Sequence, residues 1–304
     1  ILKQNTKKRI LFELNEFALF KIYEELSGIH KNLKIVPLLG NIIDQKKLEK
    51  VFKTFKVDTV YHAAASKHVP LVESNICEGA RNNILGTLYV VKAAINEKVK
   101  NLVFISSDKA VRPTNIMGAS KRFAELCLQV YKEKNPLTNF SIVRFGNVLA
   151  SSGSVIPKFK QQIIEGGPVT LTHSEVTRYF MTVPEAAQLV IQAGALGKNA
   201  EVFVLDMGKS IRIRDMIIKM INLSGQKIKD ENNLEGDIEI KVTGLRPGEK
   251  LYEELLIGDN PQKTIHPKIR KIQEPSISFD QFERSINELT IQLDNQNSKE
   301  VKKI

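Results

Sequence analysis

Short apolar runs alternate with amphipathic segments along most of this 304-residue chain. Each run is rich in β-branched and aromatic residues, which predicts a strand. The predicted strands begin at Arg9, Leu33, Asp58, Asn101, Phe140 and Glu201. Apolar residues recur at helical spacing from Glu16 to Leu26, Gln45 to Phe55, Pro184 to Leu196 and Arg214 to Leu223. The alternation of strands and helices predicts an α/β fold with a doubly wound parallel sheet.

Polar side chains are densest in residues 106–122, directly after the strand that begins at Asn101. Open α/β sheets bind their ligands beyond the carboxyl ends of their strands. At this strand end Ser107 offers a hydroxyl, Asp108 a carboxylate and Lys109 an amine. The segment is therefore the first candidate for a catalytic site.

Met117 and Lys121 begin the following predicted helix and lie four residues apart, so they share one helix face. Pro113, Thr114 and Asn115 precede them and suit a turn and a helix cap. Taken alone, the segment could be a surface turn that leads into a helix.

Three further strand ends carry residues suited to binding a dinucleotide. Glu13 ends the first strand, where an acidic side chain can bind a ribose, although a surface carboxylate fits equally well. Asn41 follows Gly40 after the second strand. Ala63 and Ala64 follow the third strand, where small side chains let backbone approach a ligand closely.

Composition adds bounds to this interpretation. The chain is 42% hydrophobic and 26% charged, as in ordinary globular proteins, and its net charge of +11 favours an anionic ligand. Its lysines form no aromatic-interleaved basic block, so we do not expect nucleic acid as a partner. Cys77 and Cys127 have no metal-ligand spacing and predict reduced, buried thiols and no metal site. The given sequence contains no run of about 18 apolar residues.

Four runs of residues resemble one enzyme family in the right order. They are Lys-His-Val-Pro-Leu at 67–71, Ser-Asp-Lys-Ala with Met-Gly-Ala-Ser-Lys-Arg at 107–122, Arg-Tyr-Phe-Met at 178–181, and Gly-Leu-Arg-Pro-Gly-Glu-Lys at 244–250. The chain resembles the UDP-N-acetylglucosamine 4,6-dehydratases of the extended short-chain dehydrogenase/reductase superfamily. Within them it is most similar to the membrane-linked subgroup that carries Met-x-x-x-Lys where other members carry Tyr-x-x-x-Lys.

The resemblance implies a Rossmann-type sheet, NAD as cofactor and a UDP-sugar as substrate. It implies oxidation at C4 of the sugar, loss of water across C5 and C6, and return of the hydride to C6. Ser107 would hydrogen-bond the C4 oxygen, Asp108 would be the acid for the C6 hydroxyl and Lys109 the base at C5. Met117 carries no proton to exchange, and Lys121 would hold the nicotinamide ribose. Methionine at this position implies retention of the C5 configuration.

The resemblance also assigns binding residues. Glu13, Asn41, Ala63, Ala64, Lys121 and Asn147 would contact the cofactor. Lys67, His68, Asn147, Arg178, Arg246 and Glu249 would contact the substrate. His68 could equally be structural, and the guanidinium of Arg246, between Gly and Pro in a rigid turn, suits diphosphate.

We expect residues 1–147 to form a dinucleotide-binding domain without its first strand and Gly-rich phosphate loop, with part of 185–210 returning to its sheet. Residues 148–285 would form mainly the UDP-sugar lobe, and residues 286–304 a polar tail that frays from about Leu293. We also expect a cytoplasmic homo-oligomer, associated with a membrane only through a segment before residue 1.

Two other functions remain open at this stage. A UDP-sugar 4-epimerase or reductase of the same fold would need the tyrosine that Met117 replaces and would not need the Asp108–Lys109 pair. A non-catalytic nucleotide-sugar-binding module would suit a chain without the phosphate loop.

Overall fold

A computed structural model describes residues 6–29, 33–149, 154–257 and 261–304. Its strands are β1 Lys8–Glu13, β2 Lys34–Leu39, β3 Thr59–His62, β4 Asn101–Ile105, β5 Asn139–Arg144, β6 Asn147–Val148, β7 Val169–Leu171, β8 Thr177–Arg178, β9 Phe180–Met181, β10 Glu201–Leu205, β11 Ile211–Arg212, β12 Ile228–Lys229, β13 Ile238–Val242, β14 Gln262–Lys263 and β15 Ile269–Ile272. Its helices are α1 Glu16–Ile29, α2 Gln45–Phe55, α3 Val69–Ser74, α4 Ile76–Ala80, α5 Gly86–Asn96, α6 Ile116–Lys134, α7 Val155–Ile164, α8 Val183–Leu196, α9 Ile213–Leu223, α10 Phe279–Asp294 and α11 Ser298–Val301. A π-helical segment, Arg81–Leu85, joins α4 to α5, and a 3-10 turn, Asp108–Ala110, follows β4.

The largest sheet has six strands in the order β14-β15-β10-β5-β4-β3. Strands β3, β4, β5 and β10 are parallel, whereas β15 runs antiparallel to β10 and β14 antiparallel to β15. Strands β1 and β2 form a separate parallel pair. The predicted parallel sheet is therefore present, with an antiparallel edge that the apolar pattern did not predict.

Strand β4 is buried on both faces, as its continuous apolar sequence predicts. Leu102 and Phe104 belong to a core shared with α5, α6 and α10, and Val103 belongs to a second core shared with α8. All three residues are at most 1% exposed. Because helices cover both faces, only the ends of the strands are open to a ligand.

A smaller lobe has a core of its own. Helices α7 and α9 pack against the parallel strands β12, β13 and β7, and Phe159, Ile217 and Ile238 are among its buried residues. The β10 strand returns from this lobe to the large sheet, within the predicted range 185–210. Strand β15 and helix α10 then return again, because Ile272 and Phe282 pack in the core of the large sheet.

The expectation of a polar tail that frays from about Leu293 is wrong. Helix α10 begins at a capping box formed by Ser278 and Gln281 and packs Phe282, Ile286, Leu289 and Leu293 into the large core. Each such side chain adds roughly 1.5–3 kcal/mol on burial, which outweighs the polar composition of the other face. Val301 of α11 joins the same core.

Both cysteines are buried and unpaired, as predicted. Burial raises the pKa of the Cys127 thiol, so this side chain is protonated and unreactive. Among the described residues, no helix is both long enough and apolar enough to cross a membrane.

Candidate active site

A cleft of about 340 Å³ lies at the carboxyl ends of β3, β4 and β5. Most of the residues singled out in the sequence line it: Ala63, Lys67, His68, Ser107, Asp108, Lys109, Met117, Lys121 and Asn147. They come from separate segments that meet because parallel strands all end at the same edge of a sheet.

The 3-10 turn after β4 fixes Asp108. Ser107 begins this turn, and its hydroxyl accepts a hydrogen bond from the Lys109 backbone N–H and donates one to Asp108 Oδ1 at 2.9 Å. The Asp108 backbone N–H donates to the Phe145 carbonyl after β5. Asp108 is only 1% exposed, yet its Oδ2 has no hydrogen-bond partner among the described residues. Buried polar atoms of folded proteins nearly always have a partner, so the unpaired oxygen marks Asp108 as a candidate for contact with a ligand in the adjoining cleft.

Lys109 carries a charged ammonium in this site. Its Nζ lies 3.1 Å from Asp108 Oδ1 and 3.4 Å from Glu253 Oε1. Burial lowers the pKa of Lys109, but the two carboxylates outweigh burial and Arg178, and the pKa is raised above 10.5. At neutral pH Lys109 can therefore donate a proton, and it can act as a base only after losing one.

Helix α6 approaches the Asp108 turn closely at Gly118. Asn115 caps the helix by accepting a hydrogen bond from the Gly118 N–H at 2.8 Å. A methyl carbon added at Gly118 would lie 2.1 Å from the Lys109 carbonyl oxygen. Only glycine allows this contact, which places Met117 and Lys121 at the cleft beside Lys109.

Lys121 is held beneath the cleft by two contacts. Its Nζ donates to the Ile105 carbonyl at 2.6 Å and lies 3.9 Å from the centre of the Phe104 ring. Burial lowers the pKa of Lys121 to about 7, although the nearby Glu125 carboxylate opposes the shift. The amine is thus close to half protonated at neutral pH.

A buried ion network lies beside the site at the end of β5. Arg144, the last residue of β5, is fully buried and donates hydrogen bonds to Glu125 of α6 and to Glu274. Glu125 Oε1 also accepts from the Ser106 hydroxyl at 2.6 Å. The Ser106 hydroxyl is therefore engaged in positioning the end of β4, whereas that of Ser107 faces Asp108.

Asn83 ties the loop after β3 to α6. Its amide group accepts from the Ser66 backbone N–H at 2.7 Å and donates to the Ser66 carbonyl and the Ser120 hydroxyl. Asn83 lies in the π-helical segment and is 1% exposed. This bridge fixes the loop that carries Lys67 and His68 along the cleft.

Two residues predicted to bind substrate pair with each other away from the cleft lining. Arg178 Nη2 lies 3.2 Å from Glu249 Oε1, and Arg178 also donates to the Thr177 and Leu251 carbonyls. Arg178 Nε is 3.9 Å from Glu253, which links it to Lys109. Arg246 is exposed and lies outside the cleft lining.

The remaining predicted cofactor residues also lie outside the cleft lining. Glu13 Oε1 accepts hydrogen bonds from the Leu14 and Asn15 backbone N–H groups, and Asn41 Oδ1 accepts one from Ile43. Glu13 and Asn41 lie together at the carboxyl ends of β1 and β2, since Glu13 pairs with Leu39. Ala64 is exposed beside Ala63.

Glu253, Glu125 and Glu274 are site-supporting residues that the sequence reasoning missed. Each is a glutamate in a segment without a recognisable motif, and each forms an ion pair with a cation from another segment of the chain. One local signal existed: Arg122 and Glu125 lie three residues apart on α6 and form an ion pair at 3.0 Å.

Comparison with known proteins agrees with this architecture. Residues 1–274 match the model of the polysaccharide biosynthesis protein family. The chain belongs to this family. It is 51% identical over 267 residues to the capsular polysaccharide biosynthesis protein CapD of Staphylococcus aureus, covering 88% of the chain but only 43% of CapD. It is also 34% identical to a UDP-glucose 4-epimerase of Rickettsia massiliae, covering 86% of the chain and 75% of that protein.

Two solved structures show the same fold. Pen from Bacillus thuringiensis is 38% identical, with a TM-score of 0.73 over 83% of the chain and 76% of Pen. The DesIV double mutant, a dTDP-glucose 4,6-dehydratase from Streptomyces venezuelae with NAD and DAU bound, has a TM-score of 0.70 over 97% of the chain and 89% of DesIV. DesIV is 17% identical and bears on the fold alone. The Rossmann-type fold predicted from the sequence is confirmed, and membership of the polysaccharide biosynthesis protein family is consistent with the predicted resemblance.

Proposed function

We propose that this chain carries the sugar-nucleotide site of an NAD-dependent dehydratase that converts UDP-N-acetylglucosamine to a UDP-4-keto-6-deoxy-N-acetylhexosamine. The observation that carries the proposal is the Asp108–Lys109 pair, hydrogen-bonded at 3.1 Å on the cleft wall. Elimination of water needs an acid and a base within reach of the same sugar carbon atoms. Met117 supplies no proton where a simple epimerase needs a tyrosine.

The residues at the cleft fit a nicotinamide dinucleotide. The strand ends of β3, β4 and β5 open on the cleft, Ala63 leaves the backbone accessible there, and Lys121 presents a buried amine. Glu13 and Asn41 would hold the adenosine end at the separate strand pair β1 and β2. When bound, the nicotinamide supplies a hydride acceptor and donor.

One proton transfer converts the resting pair into the acid and base that elimination needs. In the resting site Lys109 is an ammonium that donates to the Asp108 carboxylate. Movement of that proton from Lys109 Nζ to Asp108 Oδ1 leaves a neutral amine and a neutral carboxylic acid. Lys109 can then remove the C5 proton, and Asp108 can protonate the leaving C6 hydroxyl. Closing the cleft over a substrate favours the neutral pair, because excluding water penalises charges.

Ser107 would donate a hydrogen bond from its hydroxyl group to the C4 oxygen. Its present partner, Asp108 Oδ1, is 2.9 Å away, so a small rotation of the hydroxyl redirects the proton. With Met117 in place of tyrosine, we propose that the product retains the C5 configuration. Proton NMR of the 4-keto product tests this directly, and an inverted C5 would contradict it.

The family name and the buried, unpaired Cys77 and Cys127 fit an enzyme of surface polysaccharide synthesis in a reducing, cytoplasmic compartment. CapD is more than twice as long as the matched segment, so the experiment uses a full-length protein that contains this chain.

The deciding experiment incubates that protein with UDP-N-acetylglucosamine and NAD⁺ and follows the product by mass spectrometry. Loss of one water supports the dehydratase. A new sugar of unchanged mass would establish the epimerase that the Rickettsia relative's name suggests. UDP binding by calorimetry without turnover would leave a binding module. Asp108→Asn, nearly isosteric, should lower dehydration about 10²–10⁴-fold and leave UDP binding unchanged.

A further inference from the structure

Glu253 is a buried carboxylate that neither the fold nor the proposed acid–base pair requires. The residue is 7% exposed and lies in the loop between β13 and β14. Its Oε1 lies 3.4 Å from Lys109 Nζ and 3.9 Å from Arg178 Nε, and its Oε2 has no hydrogen-bond partner within the described ranges. Burying a carboxylate costs several kcal/mol unless a cation compensates for the lost water. The Lys109 and Arg178 cations therefore offset the cost of burying the Glu253 carboxylate.

The backbone around Glu253 is fixed independently of its charge. Upstream, the Gly248 carbonyl accepts hydrogen bonds from the Thr114 hydroxyl and the Asn115 amide at the cap of α6. Lys250 Nζ donates to the Val111 carbonyl at 2.8 Å. These contacts attach the loop to the segment that follows Lys109, so Glu253 is brought to the ammonium by its own chain connection.

The charged groups that face the Lys109 ammonium are Asp108 and Glu253, and Arg178 lies 3.9 Å from Glu253. A lysine side chain has four rotatable bonds, and one partner alone leaves it considerable freedom. Two carboxylates on different loops restrict the ammonium to the place where it contacts both.

We propose that Glu253 is a positioning residue, which holds the Lys109 ammonium at the cleft wall and keeps it protonated while Asp108 remains a carboxylate. The raised pKa of Lys109 has the direction that this arrangement requires, since the charges of Asp108 and Glu253 together outweigh burial. For the dehydratase proposed above, on which this consequence rests, Glu253 opposes the transfer of the Lys109 proton to Asp108. The form with a neutral Lys109 amine and a neutral Asp108 carboxylic acid therefore stays a minor species until a substrate is bound.

The test measures the protonation of Lys109 itself, without cofactor or sugar, so it does not depend on the proposed function. The purified chain is trace-labelled with acetic anhydride at a series of pH values, and the Lys109 peptide is measured by mass spectrometry. The midpoint of the labelling curve is the pH at which half of the Lys109 side chains are free amines. Glu253→Gln should lower that midpoint by about one pH unit, which makes labelling near pH 9 about tenfold faster. Glu253→Asp, which keeps the charge, should restore most of the midpoint.

Glu254→Gln is the matched control. Glu254 is the next residue, is 41% exposed in its side chain and pairs with Arg112 and Lys250 instead. An unchanged midpoint in folded Glu253→Gln, or an equal shift in Glu254→Gln, would overturn the proposal. Circular dichroism establishes that each variant folds. If Glu253→Gln does not fold, a Lys109 midpoint at or below 10.5 in the unsubstituted chain overturns the proposal as well.

Discussion

Gly118→Ala tests whether the close approach of α6 to the Asp108 turn sets the geometry of the site. The added methyl carbon would lie 2.1 Å from the Lys109 carbonyl oxygen and 3.0 Å from its carbonyl carbon. Close carbon–oxygen contacts in proteins are about 3.3–3.6 Å, so one of the two backbone segments must move by roughly 1 Å. Neither can rotate out of the way as a side chain can.

The magnitude follows from two opposing effects. Overpacking a close contact costs about 1–3 kcal/mol, whereas alanine in place of glycine within a helix gains roughly 0.5–1 kcal/mol. We expect Gly118→Ala to lower the free energy of unfolding by about 1–2 kcal/mol. A shift of about 1 Å at reacting groups can lower turnover about 10²-fold. Expressed as a free energy, this loss of turnover should exceed the loss of folding stability.

Urea denaturation followed by circular dichroism measures the free energy of unfolding, and Gly28→Ala is the control. Gly28 lies in α1 with no heavy atom within 4 Å of the added methyl carbon. Gly28→Ala should raise the free energy of unfolding by roughly 0.5–1 kcal/mol from helix propensity alone. If Gly118→Ala raised the free energy of unfolding as much as Gly28→Ala does, α6 and the turn would be able to move apart without cost. The reasoning from close contact would then be refuted.

Two further predictions concern buried charges and are measured by the same urea assay. Arg144→Met should cost about 3–5 kcal/mol, because it removes the fully buried cation shared by Glu125 and Glu274 and leaves them only the partly exposed Arg122. The same change at the 60%-exposed Arg112 should cost about 0–1 kcal/mol. Equal losses would contradict this ranking. Lys121 has a pKa of about 7 when folded and 10.5 as its ordinary value. Between these values only the unfolded chain binds its proton, so raising the pH should stabilise the unsubstituted chain relative to Lys121→Met by up to about 1.4 kcal/mol per pH unit. A difference that does not change with pH would contradict the lowered pKa.

The parts of the site that the sequence predicted are those in which chemistry follows a strand directly. The apolar run of β4 predicted a strand buried on both faces, and the rule for parallel sheets then placed Asp108 and Lys109 at its open end. The four-residue spacing of Met117 and Lys121 placed both at the start of one helix. Each inference needed only neighbouring residues and one general rule of sheet geometry.

The parts that escaped prediction depend on contacts between distant segments. Glu253 has no local pattern that marks it as buried, since its burial depends on Lys109 and Arg178. The same holds for Glu274, whose partner is Arg144 at the end of β5. A single sequence shows which residues are charged, but it does not show which of them form ion pairs in the fold.

The error over residues 286–304 has a different cause, because there the local pattern was present and composition obscured it. Phe282, Ile286, Leu289 and Leu293 recur at helical spacing and form one buried stripe, while polar side chains fill the other face of α10. The average hydropathy of such a segment is polar, which predicts fraying. The stability of the helix in the fold depends instead on the buried stripe. The same distinction applies to the site. The chain is strongly basic on average, yet the groups that face the Lys109 ammonium are mainly carboxylates, and these, not the net charge of +11, decide its protonation.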